Sequence, residues 1–171
     1  MKKLVVVGNG MVGHAFLDKL VNSPAFADYA VTVFGEEPRV AYDRVYLSSY
    51  FSGKTAEDLS LVPVGFYETH GIDIRLNEKV VAIDTSAQTL TTASGVSVAY
   101  DKLVLATGSY PFVPPIPGND REACLVYRTI EDLESMKEAA TRSKIGVVVG
   151  GGLLGLEAAK ALVDLGLQTH V

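Results

Sequence analysis

The chain has 171 residues, 48% of them hydrophobic and 20% charged, a balance that suits one globular domain or one domain with part of another and excludes a disordered chain. A formal net charge of −5 with no basic stripe excludes a nucleic-acid binder and offers nothing to an anionic membrane surface. Cys124 is the only cysteine, which excludes an intrachain disulfide, a CxxC redox pair and an iron–sulfur cluster held by this chain alone; His14, His70 and His170 have no metal-ligand spacing.

In chain order, the apolar run Leu4–Val7 stops at Gly8-Asn9-Gly10, far short of a signal-peptide core. No stretch approaches the ~18 apolar residues of a membrane helix, so the chain reads as cytoplasmic. The run predicts a strand buried on both faces of a parallel sheet. Phe16, Leu17, Leu20 and Val21 fall at helical spacing after Gly13, and Ala30–Phe34 reads as the second strand of a βαβ unit. Val80–Ile83, Thr89–Thr92 and Val96–Tyr100 are short strands separated by turn formers, which predicts a small antiparallel meander inserted in the nucleotide fold. Lys102–Ala106 returns to the core and ends at Thr107-Gly108.

Pro111, Pro114, Pro115 and Pro117 exclude a helix between Tyr110 and Gly118 and mark a linker. A helix is expected around Ile130–Ala140. Gly146–Val149, Gly150-Gly151-Gly152-Leu153-Leu154-Gly155 and the helix formers Leu156–Leu162 then repeat the opening grammar of strand, glycine turn and helix. The expected fold is α/β: a Rossmann-like dinucleotide-binding domain with an antiparallel β meander (1–117), followed by the start of a second Rossmann unit (118–171) that breaks off at Thr169-His170-Val171 inside its next strand.

Gly8-x-Gly10-x-x-Gly13 matches the dinucleotide fingerprint, and its chemistry demands glycine three times. One glycine permits the turn, one lets backbone approach a pyrophosphate, and one lets the helix pack on the strand. The helix N-terminus, with Met11 and Val12 in its first turn, supplies unsatisfied N–H groups to the phosphates. An acid is expected about 20 residues on, to accept hydrogen bonds from ribose hydroxyls. Glu36, 23 residues after Gly13, or its neighbour Glu37 fits, the alternative being an ordinary α/β turn with a solvated Glu pair.

Phe34–Ser48, Ala106–Pro111 and Tyr127–Leu133, together with Gly8–His14, resemble the FAD region of the pyridine nucleotide–disulfide oxidoreductase superfamily, and most of all that of the large subunits of NAD(P)H nitrite reductases. The resemblance implies FAD on the first unit and NAD(P)H on the second. It puts Glu36 at the ribose, Arg44 near the flavin pyrophosphate, Val81 at the adenine through its main chain, Ala106, Thr107 and Gly108 at the turn that brings backbone to the FAD, and Arg128 on the flavin side. On the second unit it puts Gly150, Gly152 and Gly155 at the NAD(P)H pyrophosphate and Glu157 close to the nicotinamide–flavin contact. A solvated surface charge is the competing reading for Arg44, Arg128 and Glu157.

Two departures limit the resemblance. Ser49 stands where ferredoxin reductases carry a lysine, so no role of that lysine transfers. No cysteine lies between Tyr42 and Phe51, where disulfide reductases place theirs, so electrons are expected to leave the flavin for a separate acceptor. The implied activity is an electron-input module that oxidises NAD(P)H and serves the reduction of nitrite to ammonia at sirohaem and iron–sulfur centres outside these residues. A rubredoxin- or ferredoxin-type reductase and a non-catalytic nucleotide-binding fragment are the alternatives. The partner is a redox-centre domain or a small electron-acceptor protein, with a homo-oligomer possible. The choice between NADH and NADPH is left open. With the strand that closes the flavin site expected beyond Val171, the chain alone is expected to be inactive.

Overall fold

A computed structural model describes residues 1–171. The elements run β1 (Lys2–Val7), α1 (Met11–Val21), a 3-10 helix (Pro24–Asp28), β2 (Tyr29–Phe34), a second 3-10 helix (Leu47–Ser52), the single helical turn α2 (Phe66–Thr69), β3 (Asp73–Arg75), β4 (Val80–Asp84), β5 (Thr89–Thr92), β6 (Ser97–Ala99), β7 (Lys102–Leu105), α3 (Ile130–Arg142), β8 (Ile145–Val147), α4 (Leu153–Asp164) and β9 (Gln168–His170). They fall into two compact units, one of residues 1–42 and 60–109, the other of residues 43–59 and 110–171.

In the first unit a parallel sheet has the strand order β3-β2-β1-β7. Alternation along β1 divides the core between its faces. Leu4 and Val6 pack with Leu17 of α1 and with Phe66 and Tyr67 of α2, whereas Val5 and Val7 pack with Phe34, Leu90 and Tyr100. The antiparallel sheet β4-β5-β6 therefore covers the sheet face that the helices leave open, bringing Leu90 to complete burial. Each Val or Leu so buried contributes about 1.5–3 kcal/mol. The strand expected at Leu4–Val7 is buried from Leu4 onward, and the expected meander is present.

The second unit is built differently. In α3, Ile130, Leu133 and Met136 recur at helical spacing and are buried. Its N-terminus is closed by a capping box in which the Thr129 hydroxyl accepts from the Asp132 N–H and the Asp132 carboxylate accepts from the Thr129 N–H. β8 and β9 pair in parallel, with α4 against both. Gly146–Val149 repeats the all-apolar grammar of Leu4–Val7 without its burial on both faces: Val147 is 66% exposed and Val149 79%. A two-stranded sheet with a helix on one side has no partner for its other face.

The compact units divide elsewhere than at 117/118. Residues 43–59 group with 110–171 because Phe51 stacks on Tyr127, Lys137 lies over the Tyr50 ring, the Tyr50 hydroxyl donates to Glu134, and Arg44 bonds the Arg128 carbonyl.

Candidate functional site

β1 delivers Gly8 to the C-terminal edge of the sheet, where its N–H donates to the Phe34 carbonyl of the neighbouring strand at 2.9 Å. Gly8 has φ +107°, and a Cβ there would lie 2.2 Å from the Ala106 carbonyl oxygen. Two requirements, a left-handed backbone and contact with the end of β7, thus exclude every side chain at this position. At Gly13 a Cβ would come within 2.1 Å of the Gly8 carbonyl oxygen, so helix and loop are in backbone contact. Gly10 is the reverse case: nothing lies within 4 Å of its would-be Cβ. The three glycines divide the labour as the fingerprint demands, with open space only above the middle one.

Helix α1 has Gly10 as its N-cap, no side-chain cap and no acid in its first turn. The first intrahelical donor is the His14 N–H, to the Gly10 carbonyl. The N–H groups of Met11, Val12 and Gly13 therefore have no acceptor within the helix. α3 of the same chain is fully capped, so the missing cap on α1 is local to the glycine loop. An uncapped N-terminus beside open space, with its positive end of the helix dipole, suits a diphosphate. The residues present fit the dinucleotide that the sequence implies.

One residue beyond Gly35, at the end of β2, the Glu36 carboxylate pairs with the Lys79 ammonium at 2.8 Å, each side chain about half exposed. Glu37 is engaged otherwise, accepting from the buried Tyr42 hydroxyl at 2.7 Å. The two candidate acids are thereby distinguished: Glu36 stands at the surface and Glu37 supports a loop. Val81 occupies a register shift, since Val80 pairs with Thr92 and Ala82 with Thr91, leaving Val81 as the extra residue of the strand. A bulge frees main-chain groups from the ladder, the arrangement a main-chain contact to an adenine needs. After β7, Ala106 donates to the Val7 carbonyl at 2.7 Å, Thr107 is exposed, and Gly108 takes φ +70°.

In the second unit the structure brings the two candidate arginines together. The Arg44 guanidinium donates to the Arg128 carbonyl at 3.0 Å, and the Arg128 guanidinium lies over the Tyr110 ring, 4.9 Å from its centroid. The second glycine loop repeats the first in part. Gly150 has φ +122°, a Cβ on Gly155 would lie 1.8 Å from the Gly150 carbonyl oxygen, and nothing is near Gly152. Helix α4 also lacks a side-chain cap and a first-turn acid. Glu157 is half-buried on α4; burial, and then the Glu157 charge, raise the pKa of Tyr127.

Three relationships were not legible from sequence. The Tyr67 hydroxyl donates to the Asn9 side-chain oxygen at 2.9 Å. Lys79 faces Glu36. The Tyr127 hydroxyl is buried without a hydrogen-bond partner. Tyr127 sits in a motif that the resemblance singled out, but Tyr67 lies outside every such motif, and nothing in sequence pairs it with Asn9 across 58 positions.

The sequence profile of the pyridine nucleotide-disulphide oxidoreductases matches residues 2–171. The nitrite reductase (NADH) large subunit of Escherichia coli (strain K12) is 56% identical over 169 residues, a match covering 99% of this chain and 20% of that protein. The NAD(P)H nitrite reductase of Bacillus subtilis (strain 168) is 41% identical over 171 residues, covering 99% of this chain and 21% of that protein. Among solved structures, the water-forming NADH oxidase from Lactobacillus brevis bound to NADH superposes with a TM-score of 0.87 at 26% identity, covering 99% of this chain and 39% of that one. The chain thus spans about a fifth of the length of the nitrite reductases it matches.

Proposed function

The chain belongs to the pyridine nucleotide-disulphide oxidoreductase family, and we propose on that footing that it is the FAD-dependent, NAD(P)H-oxidising electron-input part of a nitrite reductase. The observation that carries this reading is the 56% identity to the Escherichia coli subunit across nearly the whole chain. FAD, when bound, supplies hydride acceptance and the release of electrons one at a time.

The residues of the chain bind and orient. Gly8, Gly10 and Gly13 keep the loop clear, and the N–H groups of Met11, Val12 and Gly13 receive the FAD pyrophosphate. Glu36 accepts from the adenosine ribose, and the Val81 main chain meets the adenine. The backbone of Ala106, Thr107 and Gly108 lines the cofactor. Arg44 and Arg128 contribute positive charge on the flavin side. Gly150, Gly152 and Gly155 receive the NAD(P)H pyrophosphate, and Glu157 orients the nicotinamide end. Functionally, residues 1–117 serve FAD and residues 118–171 begin the NAD(P)H part. Electrons then pass to a redox-centre domain or a small acceptor protein. No helix of the chain is long and apolar enough to cross a membrane.

Two assays test the reading. The complete protein that carries the chain should take up FAD and show the visible bands of oxidised flavin. The same protein should couple NADH oxidation to conversion of nitrite to ammonia. Absence of flavin binding refutes the cofactor assignment. Turnover with rubredoxin or ferredoxin but not with nitrite refutes the substrate.

A further inference from the structure

A glycine-rich loop has more backbone freedom than any other, so a cradle made of one needs something outside it to hold it in place. From below, the loop is tied by the Gly8 N–H to the Phe34 carbonyl and by the Ala106 N–H to the Val7 carbonyl. The side chain between the first two glycines is held differently. Asn9 makes one side-chain hydrogen bond, from the Tyr67 hydroxyl at 2.9 Å, while its Nδ2 is buried with no partner in the protein. The Tyr67 bond alone therefore orients this amide.

Tyr67 is well placed to act as a fixed post. It is 4% exposed, on α2, with Phe66 edge-on to it at 5.4 Å. Phe66 in turn meets the His14 ring of α1 edge-on at 5.2 Å. Two adjacent aromatics on one helical turn thus grip the loop and the helix that the loop opens. Burial, partly offset by the Asn9 bond, pushes the Tyr67 phenol above its ordinary pKa, so it stays a donor further into the alkaline range. The Asn9 Cβ also lies beside the end of β2, where a Cβ added to Gly35 would come within 3.3 Å of it. Gly35 immediately precedes Glu36.

We propose that Tyr67 is a positioning residue for the dinucleotide cradle: through Asn9 it fixes the glycine loop, which supplies the phosphate donors, relative to the strand end that carries the ribose acceptor Glu36. The inference rests on the reading of residues 8–13 and Glu36 as the FAD cradle, and deepens it by naming what presets the distance between its two halves.

The test compares the complete protein that carries the chain, as wild type, Tyr67→Phe, Asn9→Ala and the double variant, by FAD titration and by ligand-free thermal unfolding. Tyr67→Phe keeps the ring and its packing and removes only the donor. It should weaken FAD about three- to tenfold, the loss of one neutral hydrogen bond, while the unfolding midpoint moves by no more than a few degrees. Binding of ADP, which reaches the phosphate, ribose and adenine positions but not the flavin side, should weaken by the same factor. The double variant should lose no more than the worse single one, because both changes break the same link. Wild-type-like FAD affinity in Tyr67→Phe, additive losses in the double variant, or an FAD loss with no ADP loss each overturns the proposal and leaves the FAD assignment standing. A complete wild-type protein that binds neither FAD nor ADP overturns both.

Discussion

The Gly13 α-carbon sits so close to Gly8 that a Cβ on Gly13 would lie 2.1 Å from the Gly8 carbonyl oxygen, while a Cβ on Gly10, between them in the chain, would meet nothing within 4 Å. Alanine at these two positions should therefore fail in different ways. Gly13→Ala must push helix from loop, a strain of about 1–3 kcal/mol, and should lower the ligand-free unfolding midpoint by several degrees. Gly10→Ala adds a methyl to open space at φ −93°, which alanine adopts freely. It should leave the ligand-free protein within a few degrees of wild type yet cut FAD affinity at least about tenfold, because the methyl takes the room of a phosphate. Equal FAD losses per degree of destabilisation in the two variants would contradict this division.

Glu36 and Glu37 are adjacent in sequence and opposite in their engagements. The Glu36–Lys79 pair is about half exposed, so it contributes within about 0–1 kcal/mol to stability once solvent screening is counted. Glu36→Ala should thus leave folding nearly unchanged and cost FAD binding about 1.5–3 kcal/mol, a ten- to hundredfold loss, for the charge-assisted bonds to ribose. Glu37→Ala leaves the buried Tyr42 hydroxyl without the carboxylate it donates to, and should lower stability by about 1–3 kcal/mol with little change in FAD affinity. Calorimetric unfolding and FAD titration of the two variants would settle it. Identical behaviour in both assays would remove Glu36 from its role.

Strand, glycine turn, helix and meander were all legible, because each rests on local periodicity or on glycine and proline chemistry that acts within a few residues. Glu36 and Glu37 were legible as a pair of candidate acids, since spacing along a βα unit is nearly constant, but telling their engagements apart needs Tyr42 and Lys79, which only the folded chain brings near. Tyr67 and Asn9 lie 58 residues apart with no pattern joining them. The short strand β3 carries three residues, too few to show any period. The exposed face of β8 was misjudged because a run of valines signals the burial a strand can use, not the partners that supply it.

Cys124 is exposed, its thiol within 3.3 Å of the Gly118 carbonyl, in a stretch that carries no part of either glycine loop. An exposed weak donor contributes almost nothing to stability. Cys124→Ser should leave FAD affinity and NADH-dependent reduction of an artificial acceptor by the complete protein unchanged within twofold or so. A tenfold fall in dye reduction would show that electrons take a route through this residue.

Tyr127 gives a pH signature that belongs to one side chain. It is 9% exposed, it stacks on Phe51 with ring centroids 6.3 Å apart, and its hydroxyl has no partner. Burial first, and then the negative charge of Glu157, push its pKa up to about 12, whereas in the unfolded chain a tyrosine titrates near 10. Below about pH 10 both states keep the proton and the full stability is present. As pH climbs from about 10 to about 12 the unfolded chain loses the proton first, so folding weakens by about 1.4 kcal/mol per unit, about 2–3 kcal/mol in all. Tyr127→Phe has no such proton, and it also relieves a buried hydroxyl that bonds to nothing, so at pH 8 it should be at least as stable as wild type. Urea unfolding of both proteins at pH 8, 10 and 11.5 isolates the effect from every other titrating lysine and tyrosine, because those are common to the two. The phenylalanine variant's advantage should widen above pH 10. A difference that stays flat across that range would mean that water reaches the Tyr127 hydroxyl and that the ring is not sealed beside α4.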